Sequence, residues 1–243
     1  MKQVIALAIL AWNMSILSAP GQSLPENCQQ CVVVTTDSWS ATSGTLSTFE
    51  RDGADWRVRK SQVPVVVGKN GLGWGIGVNN IFPDERPTKQ EGDNKAPAGI
   101  FKLTSVFGYA RSAATQMPYR QVTPDILCVD DPQSHHYNHL IDQRKIDNRD
   151  WRTAEEMRRK DVRYKWGVIV EHNARARPNA GSCIFLHVWI APNEPTVGCT
   201  AMAEKDLVDL IRWLDPARAP LLVQLPRNIY NRYRDDWNLP PLR

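Results

Sequence analysis

No apolar run in this 243-residue chain reaches the ~20 residues that a membrane-spanning helix requires, so no stable insertion into a bilayer is expected. Histidine is scarce, at five residues, and no two of them frame the His-Glu-x-x-His spacing of a zinc peptidase. The glycine-rich stretch KNGLGWGIG at 69–77 lacks the Lys-Ser or Lys-Thr that closes a phosphate loop, and it lacks the strand–helix context of a dinucleotide fingerprint. A flexible loop beside a cleft is expected there. A dominant charge is also missing: a net charge of +4 does not ask for nucleic acid. There is no internal repeat and no linker-like segment. The sequence therefore predicts neither a resident metal nor a cofactor.

What is present describes a folded, exported chain. Hydrophobic residues make up 42% and charged residues 23%, enough apolar material for a core and too few charges for a disordered chain. At the start, Lys2 precedes the short apolar run VIALAILAW and then small residues, the pattern of a secretory signal peptide. Residues 1–21 are assigned to it, with cleavage after Ala19 or Gly21, and 22–243 to one catalytic-sized domain with terminal extensions. The cysteines are Cys28, Cys31, Cys128, Cys183 and Cys199, an odd number, so an exported chain could hold two disulfides and one free thiol. The Cys-x-x-Cys pair of Cys28 and Cys31 lacks a thioredoxin-like context and reads as a local disulfide. Elimination then leaves Cys128 with Cys183.

The chain reads as mainly β. CVVVTTDSW is a strand entering a turn, and GTLSTFERDGADWRVRKSQVPVVVG is a hairpin about Asp52-Gly53. KAPAGIFKL is another strand. The long, irregular stretch over about 109–140 is rich in aromatics and is expected to be ordered, whether as a lid or as fixed structure. Thr153 to Glu156 forms a capping box, predicting a charged, solvated helix to about Arg163. WGVIVEHN and SCIFLHVW are the strongest strands. AEKDLVDLIRWLDP is the strongest helix, with Leu207, Leu210, Ile211 and Leu214 on one face and Pro216 ending it. LLVQLP is a last strand, and the tail is a loop that packs its aromatics back on the domain.

Two residues carry the chemistry. In SCIFLHVW, alternation sends Ile184, Leu186 and Val188 to one face and Phe185, His187 and Trp189 to the other. Gly198-Cys199 follows, ahead of the amphipathic helix. A thiol near a helix N-terminus gains from unpaired N–H groups and the helix dipole, and a nearby imidazole would assist it further. The spacing is equally compatible with a core histidine and a structural thiol. DDPQSHHYNH gathers Asp130, Asp131, His135, His136 and His139, types that can bind cations, but a hydrogen-bonded loop or a peptide contact fits this stretch better than a metal.

Four segments in order, KAPAGIFKL, MPY at 117–119, IFLHVW and PTVGCTAM, resemble the YkuD-like L,D-transpeptidase catalytic domain family, over roughly residues 30–225. The resemblance implies a β-sandwich or barrel with a few peripheral helices, in the periplasm. It implies a cysteine enzyme acting on peptidoglycan stem tetrapeptides, with Cys199 as nucleophile and His187 as base. The amides of Cys199 and of Gly198 or Thr200 would hold the oxyanion, and Thr196 would support the loop. A third member, often a backbone carbonyl, would orient the histidine; Asn193 and Trp189 are the nearest candidates in sequence. Tyr119, Arg120, Trp189, Tyr137 and Asn138 are the implied substrate contacts. The acceptor would be the amine of a second stem or of a wall protein; water as acceptor would make an L,D-carboxypeptidase. The motif departs from the commonest form at Val197, where a histidine is usual, and at Ala201, where an arginine is usual. Arg120, Arg175 and Arg177 are candidates to supply the missing charge, Arg120 first because it follows MPY. These departures keep a non-catalytic wall-binding domain, or another secreted thiol hydrolase, as competing readings.

Overall fold

The computed structural model describes residues 23–78 and 88–242; the expected signal peptide lies outside the described residues. In chain order the strands are β1 (Gln30–Thr36), β2 (Ser43–Asp52), β3 (Asp55–Val66), β4 (Leu72–Trp74), β5 (Ala96–Gly108), β6 (Tyr119–Gln121), β7 (Ile126–Val129), β8 (Leu140–Asp142), β9 (Ala154–Glu156), β10 (Trp166–Val170), β11 (Phe185–Val188), β12 (Thr200–Met202) and β13 (Leu221–Pro226). Two α-helices accompany them, α1 (Glu204–Trp213) and α2 (Arg227–Tyr233).

Eight strands close into a barrel. The order runs β10, β11, β12, β3, β2, β1, β13, β5, and β5 pairs back to β10. Closure leaves no free edge among these strands. β1 and β2 pair antiparallel with Cys31 opposite Phe49, and β1 lies parallel to β13 with Cys31 opposite Leu221. The hairpin from β2 to β3 turns at Gly53, whose φ of +60° suits a residue without a Cβ. The 13-residue β5 organises one side of the barrel, pairing β13 and β10 antiparallel and β4 and β6 in parallel. Valine, leucine and phenylalanine side chains from these strands form the principal core. α1 turns Leu207, Leu210 and Ile211 toward that core and stops before Leu214, itself fully buried. Every residue of β1 is buried; α2 packs on β1 and β13, and Trp237 and Leu239 join the same core. Part of the tail is thus a helix, where the sequence reading expected only loop.

A second, three-stranded sheet in the order β8, β7, β9 stands beside the barrel, so the irregular stretch is built structure. The capping box at Thr153 does not start a helix. Ala154–Glu156 is strand β9, antiparallel to β7 with Val129 opposite Ala154 and Cys128 opposite Glu155. Non-local pairing outweighs the local helix signal here, because β9 leads into Met157, which is fully buried beside Cys128. The same alternation divides the neighbours: Ala154 packs with Leu127 and Val129, while Glu155 falls on the side of Cys128.

The glycine-rich stretch differs from its expected flexible loop. Leu72–Trp74 is a buried strand, and a Cβ at Gly71 (φ +73°) would stand 2.0 Å from the Trp39 carbonyl oxygen. Glycine there permits close backbone packing. Cys128 and Cys183 are joined by a disulfide with a Cα–Cα distance of 6.0 Å, linking β7 to the approach to β11. The local pairing expected for Cys28 and Cys31 is not formed: both are buried free thiols, and Cys28 Sγ instead donates to the Gln30 carbonyl at 3.3 Å. Both side chains belong to the barrel core, where they pack as small hydrophobes.

Candidate active site

His187 sits on β11 between β10 and β12, opposite Gly167 on one side and Ala201 on the other. The predicted alternation holds, with Ile184, Leu186 and Val188 in the main core and Phe185 in the cluster beside the second sheet. His187 Nδ1 lies 2.8 Å from the Val188 carbonyl oxygen. A carbonyl only accepts, so Nδ1 carries the proton and the Nε2 lone pair is left for a substrate or thiol proton. The orienting partner is thus a backbone carbonyl, and neither Asn193 nor Trp189 fills that role. The Tyr164 ring meets the imidazole edge to face at 5.3 Å between centroids. Burial lowers the His187 pKa to about 4; the Val188 carbonyl opposes this, and the charges of Arg163 and Arg159 add to it.

Cys199 is positioned by the parallel pairing of β11 and β12, which sets Thr200 beside Leu186. Its sulfur accepts a hydrogen bond from the Phe185 N–H at 3.3 Å and donates to the Cys183 carbonyl at 3.5 Å. The thiol is 5% exposed, and burial holds its pKa well above the ordinary range, with Glu155 pushing the same way. The Phe185 N–H, Lys89 and Arg159 oppose that shift. The expected helix dipole is not at the thiol, because β12 intervenes before α1 begins at Glu204 and dipole effects fade beyond the first turn. Burial thus favours the neutral form of both the thiol and the imidazole, and the two line one cavity.

Thr196 fastens the loop ahead of Cys199. Its hydroxyl donates to the Cys199 carbonyl at 2.6 Å and accepts from the Gly198 N–H at 3.1 Å. Its backbone is tied to the end of β3 and beyond, by Thr196 N–H to Val67 O at 2.9 Å and by Lys69 N–H to Thr196 O at 2.8 Å. The Gly198 amide is thereby occupied, which counts against it as an oxyanion donor. The Thr200 hydroxyl donates to Gln224 Oε1 at 2.6 Å, and Gln224 Nε2 donates to Pro97 O at 2.8 Å, so this end of the loop is anchored to β13 and β5.

A cavity of about 300 Å³ opens over the pair. Its walls include Cys199, His187, Thr196 and Trp189, brought together from separate strands and loops. They also include Glu155, Arg159, Arg163 and Tyr164, which sequence reasoning read as a solvated helix and its flank. The arginines are the cations of this cleft. Asp161 Oδ2 accepts from Arg159 Nε at 3.3 Å and Arg163 Nε at 3.0 Å, leaving two cations held by one carboxylate. Arg120 is elsewhere: its Nη1 donates to Leu140 O at 3.0 Å and it does not line the cavity. Arg175 and Arg177 lie off it as well. A signal for cations in the cleft existed in the arginine density of RRKDVR, but without the register of β9 nothing directs it there.

The other expected contacts have structural roles. Tyr119 Oη donates to Ala110 O at 2.6 Å. Tyr137, 2% exposed, donates to Glu91, which also accepts from Ser182 Oγ at 2.7 Å. Asn138 Nδ2 donates to the carbonyls of His172 and Asn173, both at 2.9 Å, and its Oδ1 accepts from the Cys183 N–H at 2.9 Å. None of the three lines the cavity. Tyr137 and Asn138 brace the segment that carries Cys183. In the histidine-rich stretch, buried Asp131 is paired with Arg152, and Asp150 accepts from Ser134 and His135. Among the described residues no group of three or more His, Cys, Asp or Glu is arranged to hold a metal ion.

Among the described residues no helix is long and apolar enough to cross a membrane. No protein of curated function matches the chain's sequence. Among solved structures, the helical cell shape determining protein Pgp2 from Campylobacter jejuni is similar over 85% of this chain, at 12% identity and a TM-score of 0.40. The match spans 50% of that protein's length. The sequence model of the L,D-transpeptidase catalytic domain matches residues 40–223, a span that runs from just before β2 into β13 and takes in both Cys199 and His187. That match supports a catalytic role in peptidoglycan modification. With most of its length covered and the mainly β barrel in place, the chain belongs to the YkuD family of L,D-transpeptidase catalytic domains.

Proposed function

We propose that the protein is an L,D-transpeptidase of the periplasm, working through a thioester on Cys199. The observation that carries this reading is one cavity lined by both the thiol and an imidazole whose Nδ1 is committed to the Val188 carbonyl. As Sγ attacks the carbonyl between the L- and D-centres of a stem tetrapeptide, His187 Nε2 takes the thiol proton. The Cys199 amide donates to the developing oxyanion, since the Gly198 amide is engaged by Thr196. The C–N bond breaks, the proton passes from His187 to the leaving amine, and the terminal D-residue departs. A second stem's amine then attacks the thioester, the new amide forms, and the thiol is regenerated. Arg159 and Arg163 face the same space and suit the stem's carboxylates, the charge that Ala201 does not provide.

The test is intact-mass analysis of the protein with purified stem tetrapeptide, followed by analysis of the released products. The expected result is an acyl adduct on the wild type, a crosslinked dimer on adding acceptor, and neither with a folded Cys199→Ala variant. Tetrapeptide shortened by one D-residue with no crosslink would make the enzyme an L,D-carboxypeptidase. Product formation by folded C199A would end the thioester reading.

A further inference from the structure

We infer that Glu155 receives the acyl acceptor: its carboxylate binds the acceptor's ammonium group and takes its proton, freeing the amine to attack the thioester on Cys199. This deepens the transfer reading above and rests on it.

The placement comes from sheet register. β9 pairs with β7 so that Glu155 stands opposite Cys128, on the side of the cluster containing Cys199, Phe185 and Tyr164. Glu155 lines the same cavity as the thiol and the imidazole. One carboxylate oxygen, Oε2, accepts from the Tyr164 hydroxyl. Tyr164 is itself fixed by edge-to-face contacts with Phe185, Phe107 and His187, so the carboxyl is aimed by a rigid partner. Oε1 has no hydrogen-bond partner among the described residues, and Glu155 as a whole is half-buried. A half-buried, cavity-lining carboxylate with one oxygen fixed and the other unpaired is a site for a small cation with N–H donors. A primary ammonium is the group of that kind that a transfer reaction brings to this cleft.

The surrounding charges support the assignment. Glu155 faces Tyr164, Asp130, Glu91, Arg159 and Cys199, and burial raises its pKa, which makes it a better proton acceptor than an exposed carboxylate. Its charge opposes formation of the Cys199 thiolate. Proton transfer from the ammonium to Glu155 therefore does two things at once. It leaves a neutral amine with a free electron pair, and it removes the negative charge that would resist departure of the sulfur. The amine nitrogen then bonds to the thioester carbon and the C–S bond breaks. The nitrogen's second proton passes to His187 Nε2 and on to the sulfur, and Glu155 returns its proton to solvent.

The experiment is a partition measurement on the wild type and Glu155→Gln, starting from the preformed thioester. The ratio of crosslinked to hydrolysed product is measured with a diamino acid as acceptor and, separately, with hydroxylamine, which is uncharged at neutral pH. The expected result for E155Q is at least a tenfold fall in the ratio with the diamino acid and a change under threefold with hydroxylamine. A ratio with the diamino acid within twofold of wild type overturns the inference and leaves the thioester reading standing. A wild type that forms no thioester overturns both. Should E155Q fail to fold, the wild type alone decides: relative to their uncatalysed reactivities, the diamino acid must outpace hydroxylamine by at least tenfold, and equal treatment of the two overturns the inference.

Discussion

The disulfide between Cys128 and Cys183 offers the clearest quantitative test of how this fold is held. It closes a loop of 55 residues between β7 and the approach to β11, and its second half-cystine, Cys183, accepts the Cys199 S–H hydrogen bond at its carbonyl. In the chain-entropy account, closing a loop of that length removes about 14 cal/mol/K from the unfolded ensemble, or about 4 kcal/mol at 25 °C. For a chain of this size that corresponds to a melting temperature lowered by about 10 °C. The perturbation is the double variant Cys128→Ala, Cys183→Ala. Its stability is measured by urea unfolding and calorimetry beside the oxidised wild type, with free thiols counted under denaturing conditions. The wild type is expected to show three free thiols, Cys28, Cys31 and Cys199, and the variant is expected to lose 2–5 kcal/mol. The native pairs Asn138 Oδ1 to Cys183 N–H and Phe185 N–H to Cys199 Sγ do not involve the disulfide sulfurs, so the variant keeps the site's backbone geometry. A wild type with five free thiols, or a variant within 1 kcal/mol of an oxidised wild type, would refute the reasoning.

Three further outcomes follow from the same geometry. His172 and His187 are both buried with pKa values lowered to about 4 from the ordinary 6.5, so the unfolded chain binds the extra protons. Their stabilising effect is full above pH 6.5 and is lost as pH falls toward 4, by up to about 3 kcal/mol for each; denaturant titrations at pH 7, 5.5 and 4.5 should show the decline, with a shallower slope in His187→Gln. Thr196→Val removes the hydroxyl that bridges the Cys199 carbonyl and the Gly198 amide; thioester formation, followed by intact mass, should slow at least tenfold while stability falls by about 1–3 kcal/mol. Leu207→Ala empties a fully buried position where α1 meets the barrel and should cost about 2–5 kcal/mol in urea unfolding, at a residue that does not line the cavity.

The alternating pattern of SCIFLHVW was enough to separate Ile184, Leu186 and Val188 from Phe185 and His187, because a strand's side chains switch faces at every residue whatever its neighbours. The spacing of Leu207, Leu210 and Ile211 marked α1 for the same local reason. Asp52-Gly53 marked its hairpin, since a positive φ selects glycine. The motifs around His187 and Cys199 pointed to the family that the sequence match establishes. Elsewhere, local signals misled. Thr153-Ala-Glu-Glu has the chemistry of a helix start, yet cross-strand bonds to β7 and the burial of Met157 outweigh it. Cys28 and Cys31 have the spacing of a local disulfide, yet both thiols are consumed by packing in the barrel core.

By itself, the sequence determined what depends on near neighbours along the chain: the mainly β character, the amphipathic helix, and the motifs that mark the family. Only the tertiary structure decided what surrounds them. The carbonyl that orients His187, the Tyr164–Glu155 pair and the two arginines of the cleft all owe their positions to strand pairing between distant segments. A one-residue change in the register of β9 would turn Glu155 to the opposite face of its sheet, and no feature of residues 153–163 alone specifies which register is adopted.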